Sequence, residues 1–199
     1  MSYHDLGKAI ASVVAWLNDN RIKYALVGGL AVSFRAVERA TKDIDIAIAT
    51  TDDAEAEKLV LAFQSLGFHP ATLLENKRQK RISTVRLLSA EFPGVYLDLL
   101  FTTSGIEPEV VASAEPVEIL PGVIVQLASR SSLIAMKVLS CTSKHRKQDL
   151  IDIDNLFAEA TAEEISRAKQ LVVLIQERGF NHQQDLTALF DRLLREFNA

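Results

Sequence analysis

Apolar residues recur at helical spacing from the start of the chain. Leu6, Ile10, Val13, Val14 and Leu17 fall on one helical face. They predict an amphipathic helix ending near Asn18–Asn20. KYALVGG (23–29) reads as a short buried strand running into two glycines, and LAVSFRAVERA (30–40) as a helix. TDDAEAEKLVLAFQSLGF opens with acidic turn formers, which suit the positive end of a helix dipole. Gly67 sits where a glycine would stop that helix. RISTVRLLS (81–89) and VYLDLLFTT (95–103) read as neighbouring strands split by the turn signal Phe92-Pro93-Gly94. PVEILPGVIVQLAS adds one or two short strands around Pro121-Gly122. From Ser131 onward the pattern is helical: SSLIAMKVLSC, then QDLIDIDNLF. A longer helix follows the capping-box pair Thr161 and Glu164 and ends near Gly179, and NHQQDLTALFDRLLREF closes the chain. The expected class is α+β, a mixed sheet flanked by helices with a small helical C-terminal part. The division is expected between a core at 1–128 and a helical subdomain at 129–199.

Composition narrows the function classes. The chain has 199 residues, 48% of them hydrophobic, enough for one domain with a real core. A net charge of −4 argues against a general nucleic-acid binder. The single cysteine, Cys141, excludes an internal disulfide and suits a reducing compartment. Its helical apolar setting makes it a core residue. No basic-then-apolar leader opens the sequence, and no apolar run reaches the ~18 residues of a membrane span. A cytoplasmic protein without a membrane partner is expected. His4, His69, His145 and His182 lack metal-ligand spacing, so zinc is not suggested. NKRQKR (76–81) reads as a solvated loop.

Against this background TKDIDIAIAT (41–50) is anomalous. Side chains alternate faces along a strand, so Ile44, Ile46 and Ile48 share one face and Asp43, Asp45 and Ala47 the other. Two like charges at ~4 Å and an effective dielectric of about 20 repel by on the order of 4 kcal/mol. A divalent cation reverses that sign, because hard oxygens close together are what Mg²⁺ requires. An edge strand with one solvated face accounts for the pair equally well. Upstream, Gly28-Gly29 at a strand-to-helix junction would let backbone N–H groups approach an anion. Downstream, Asp98 is the only charge in VYLDLLF, where it is costly unless paired or liganded. If the two strands are neighbours, Asp98 completes a trio of carboxylates.

Gly28-Gly29, thirteen residues, Asp43-Ile44-Asp45-Ile46 and later Leu97-Asp98-Leu99 resemble the nucleotidyltransferase superfamily, the DNA polymerase β-like fold. Arg39-Ala40-Thr41-Lys42-Asp43-Ile44-Asp45 resembles the R-x-T-x-D-x-D motif of the abortive-infection AbiE-type nucleotidyltransferases, toxins of type IV toxin–antitoxin pairs. LIAMKVLS, with Lys137, is similar to that branch's lysine motif. Arg146-Lys147-Gln148-Asp149-Leu150-Ile151-Asp152 is similar to its last motif. Gly29 stands where many members of the superfamily carry serine, so no hydroxyl is available there.

The resemblance implies transfer of a nucleoside monophosphate from an NTP to an acceptor hydroxyl, with Mg²⁺ or Mn²⁺ as cofactor. Asp43 and Asp45 would hold two ions, and Asp98 would hold one of them and help to deprotonate the hydroxyl. Gly28 and Gly29 would cradle the β- and γ-phosphates, with Arg39 and Lys137 neutralising the triphosphate. Thr41, Lys147, Asp149 and Asp152 complete the implied nucleotide-binding set. For Thr41 an ordinary turn hydroxyl, and for Asp149 and Asp152 a solvated acidic face, are equally open. The acceptor is expected to be RNA or protein, with an antitoxin as partner. An antibiotic-type enzyme acting on a small molecule, and an inactive nucleotide-binding or interaction protein, are the alternatives.

Overall fold

The isoleucine face of the segment 43–48 lies at the centre of the protein: Ile44 and Ile46 are fully buried and Ile48 nearly so. The computed structural model describes residues 3–142 and 147–197. Among them, seven strands form one sheet: β1 (Ala25–Val27), β2 (Asp43–Ala47), β3 (Phe68–Asn76), β4 (Arg81–Ser89), β5 (Tyr96–Leu100), β6 (Glu115–Leu120) and β7 (Val123–Leu127). Their order is β3-β4-β5-β2-β1-β7-β6. β2 runs parallel to β5 and β1 parallel to β7, and the other neighbours are antiparallel. The sheet is therefore mixed, as the sequence pattern predicts. Val85, Leu99, Ile46 and Leu26 form one cross-strand row, each at most 1% exposed.

Eight helices accompany it in the described residues: α1 (Tyr3–Asp19), α2 (Gly28–Arg35), α3 (Asp53–Gln64), α4 (Glu107–Ala112), α5 (Arg130–Ser140), α6 (Lys147–Ala158), α7 (Ala162–Glu177) and α8 (Leu186–Phe197). α1 packs on β7, and α3 packs on β3 and β4. A chain of aromatic rings ties them together: Trp16 to Phe63 at 5.0 Å, Phe63 to Phe68 at 6.4 Å and Phe68 to Phe92 at 5.9 Å between centroids. α5 packs against α2, α6, α7 and α8. One hydrophobic cluster runs from Ile10 through Ile46 to Leu171 and Phe190, continuous between the sheet and the C-terminal helices.

Helix starts follow local chemistry. The side chain of Asp52 accepts the Glu55 N–H at 2.9 Å, and Ser129 Oγ accepts the Ser132 N–H at 3.2 Å. Thr161 and Glu164 form the reciprocal capping box, with contacts of 3.2 and 2.8 Å.

Four local expectations need correction. α2 stops at Arg35 instead of continuing to residue 40. Arg35 is anchored there, its Nε donating to the Ala128 carbonyl at 2.9 Å and its Nη2 to Glu115 at 2.9 Å. Ser33 Oγ accepts the Arg39 N–H at 3.3 Å, turning the chain off the helix axis. β3 gives no alternation signal because it is an edge strand with only Phe68 buried, and it carries Pro70, which edges tolerate. α4 was not expected either. Its Glu107 is 2% exposed, yet Oε1 accepts from the N–H and hydroxyl of both Thr103 and Ser104, at 2.7–2.9 Å. The last helix begins at Leu186, after a turn at 181–185, where the side chain of Asp185 accepts the Ala188 N–H at 2.9 Å. No helix among the described residues is long and apolar enough to cross a membrane.

Phe63 is fully buried in the ring chain. Phe63→Ala is expected to cost about 3–5 kcal/mol in denaturant unfolding, and Thr161→Ala only about 1 kcal/mol. Equal losses would contradict this ranking of ring packing over capping.

Candidate active site

The site grows out of strand register. In the parallel β2–β5 pair Asp45 stands directly opposite Asp98, and in the antiparallel β4–β5 pair Asp98 stands opposite Arg86. Residues directly opposite share a face, so Arg86, Asp98 and Asp45 form a charged row. Asp43 lies one pleat from Asp45 on the same face. The opposite face of these strands is the apolar row already described. The conditional expectation for Asp98 is met: its strand does neighbour β2, on the required side.

The glycines at the start of α2 have a concrete role. A Cβ on Gly28 would collide with the Asp45 carboxylate, and one on Gly29 with the Arg39 guanidinium. Gly28 also has φ +66°, which disfavours any side chain. Both residues therefore leave room for charged side chains to lie against the helix N-terminus.

Nine of the sequence-derived candidates line one cavity of about 750 Å³: Gly28, Gly29, Arg39, Thr41, Asp43, Asp45, Asp98, Lys137 and Asp149. Thr41 Oγ1 accepts the Asp43 N–H at 3.3 Å, which shapes the entry into β2. Asp152 is fully buried behind the cavity. It holds Arg39 through contacts of 3.0 and 3.2 Å and Lys137 at 2.7 Å, while Lys137 also reaches Asp149 at 2.7 Å. Asp149 and Asp152 are thus buried partners of two cations, not a solvated acidic face. Lys147 is exposed at the first residue of α6 and does not line the cavity. His145 and Arg146 lie outside the described residues.

Sequence reasoning missed Arg86. Its Nε and Nη2 donate to the two oxygens of Asp98 at 2.8 and 2.6 Å, and Nη2 lies 3.9 Å from Asp43. The only signal was a charge on the same strand face as Thr84, which reads as ordinary solvent exposure. The hydrogen bond to Asp98 holds the Arg86 guanidinium even more firmly protonated than usual.

The chain matches the family described as "Nucleotidyl transferase AbiEii toxin, Type IV TA system" over residues 13–198. It belongs to that family. This chain also shares its fold with solved nucleotidyltransferase structures. An antigenic nucleotidyltransferase-like protein from Paracoccidioides brasiliensis is 20% identical, with 96% of this chain and 94% of that one covered and a TM-score of 0.54. The antibiotic-resistance factor ANT(2'')-Ia, in complex with adenylyl-2"-tobramycin, is 14% identical, with 86% and 97% covered and a TM-score of 0.57. Its solution structure matches at 17% identity, with 85% and 90% covered and a TM-score of 0.55. No curated protein matches the AbiEii chain. By family it is a nucleotidyltransferase.

The donor set suits a hard divalent cation: three carboxylates on two adjacent strands, facing one cavity. Burial first, then the charges of Asp98 and Asp43, push the Asp45 carboxyl up to about 7. Burial also raises Asp43, although Arg86 opposes that shift. Among the described residues no three His, Cys, Asp or Glu side chains converge on one metal-sized point. Both Asp98 oxygens are engaged by Arg86 instead.

A carboxyl raised in the folded state stabilises below its unfolded pKa and loses that contribution as pH rises through its folded value. In metal-free buffer, Asp45→Asn should therefore be more stable than wild type above pH ~7, with the gap closing toward pH ~4 at no more than about 1.4 kcal/mol per pH unit. Thermal melts in EDTA across that range check this, and a gap independent of pH would contradict it.

Proposed function

We propose that the protein transfers a nucleoside monophosphate from an NTP to an acceptor hydroxyl, using Mg²⁺ or Mn²⁺: the hydroxyl oxygen bonds to the α-phosphorus, the α–β phosphoanhydride bond breaks and pyrophosphate leaves. The observation that carries the reading is the register that sets Asp45 opposite Asp98, with Asp43 one pleat away, at a cavity bordered by the α2 N-terminus. Asp43, Asp45 and Asp98 would hold the divalent ions, which would supply positive charge for displacement at the α-phosphorus. The chain's own groups do the rest. Gly28 and Gly29 allow the triphosphate to approach the backbone N–H groups and dipole of the helix end. Arg39 and Lys137 face the same cavity and balance phosphate charge, and Asp152 and Asp149 hold them in place. Asp98 accepts the proton of the incoming hydroxyl. The sheet with residues 1–128 forms the catalytic core, and 129–199 a helical subdomain that contributes Lys137 and Asp149 to the wall.

The family's description as a toxin of a type IV toxin–antitoxin system supports an antitoxin partner; a macromolecular acceptor and a cytoplasmic setting belong to the same reading.

Incubation with α-labelled NTPs, Mg²⁺ and separate acceptor pools of RNA, protein and aminoglycoside tests the proposal. Label is expected in a macromolecular pool, with Asp43→Ala slowing uptake by about 10³-fold or more. Uptake unchanged by Asp43→Ala would overturn it, and label confined to the aminoglycoside would assign the acceptor to small molecules.

A further inference from the structure

Arg86 is not accounted for by the transfer reaction. It occupies both oxygens of Asp98, at 2.8 and 2.6 Å, and its Nη2 lies 3.9 Å from Asp43. A guanidinium fork that takes both oxygens of a carboxylate and a hard cation that needs at least one of them compete for the same lone pairs. We propose that Arg86 is a positioning residue that stands in for the divalent cation on Asp98 and must release that carboxylate before metal binds. The inference rests on the metal-dependent reading above.

The exchange is physically cheap. Asp98 is nearly buried, with 11% of its side chain exposed, so leaving it without a cation would be unfavourable. Arg86 itself is 39% exposed, so its charge is already partly hydrated and loses little on moving. Its guanidinium carbon also lies 4.9 Å from the centre of the Tyr96 ring, a second partner that does not depend on Asp98. Beside that ring is a further cavity of about 630 Å³, lined by Arg39, Thr41, Lys42, Asp43, Arg86 and Tyr96. The displaced side chain has both a partner and space. With Arg86 engaged, the carboxylate row is kept assembled, and ions alone bind weakly.

Mn²⁺ titration of the nucleotide-free protein, followed by electron paramagnetic resonance, tests this without any turnover. Arg86→Gln is expected to bind Mn²⁺ about ten-fold more tightly than wild type, the scale of one charged hydrogen bond lost from competition. Arg86→Lys keeps the charge and loses the fork, and is expected to bind more tightly by a smaller factor. In an Asp98→Asn background, Arg86→Gln should raise affinity by a clearly smaller factor, because only the longer 3.9 Å approach to Asp43 remains. An equal gain in that background would mean simple charge repulsion and overturn the proposal, as would Arg86 variants that bind no more tightly than wild type. Mn²⁺ binding indifferent to Asp45→Asn would instead sink the underlying metal site.

Discussion

The pairing of β2 with β5 is the constraint on which the site depends. Because side chains alternate, a slip of one residue would carry Asp98 to the isoleucine face and bury it among Leu26, Ile46 and Val85. The apolar row prevents the slip. Leu99 must oppose Ile46 for both to be covered, and that same register sets Asp98 opposite Asp45. The hydrophobic effect on one face thus aligns charges on the other. Three carboxylates that repel one another are held together by packing that does not involve them.

Charge balance is distributed around that row with unequal completeness. Asp152, fully buried, is satisfied by Arg39 and Lys137, and Gln148 adds a hydrogen bond at 3.1 Å. This cluster joins the loop before β2 to helices α5 and α6, tying the C-terminal part to the sheet edge of the cavity. Removing one partner from such a group leaves a buried charge uncompensated, which is costlier than the net gain from the pair. The aspartate row differs. Arg86 compensates Asp98, while burial, ahead of the charges of Asp98 and Asp43, raises the Asp45 carboxyl.

The family match spans nearly the whole chain, whereas the similar solved structures are at most 20% identical and speak to the fold. The cavity wall of this chain is furnished by more than its carboxylates. Here the β3–β4 hairpin supplies Thr72, Leu74, Thr84 and Arg86 to the wall. Its tip is pinned to the C-terminal part, with Arg78 donating to the Gly179 carbonyl at 2.9 Å. Residues 77–80 of NKRQKR are an exposed turn, as a solvated loop would be, with Arg78 as its tether.

Much of this was legible before folding was considered. Sequence pattern located β1, β2, β4 and β5 and gave β6 and β7 as one or two short strands, and the aspartates stood out because they interrupt such patterns. Gly28 and Gly29 marked a place where backbone must be approached closely. β3 escaped notice because an edge strand with exposed side chains has no apolar rhythm. The C-terminal limit of α2 escaped because a long-range contact from Arg35 to Ala128 ended a segment of good local propensity. Sequence alone put Asp43 and Asp45 on one face of a strand and Asp98 in another strand, since alternation is a property of the chain. Tertiary structure alone decided their partners: Arg86 with Asp98, and Asp152 with Arg39 and Lys137. Ion pairs between distant segments depend on strand register and helix docking, which burial of the shared core selects and local sequence does not encode.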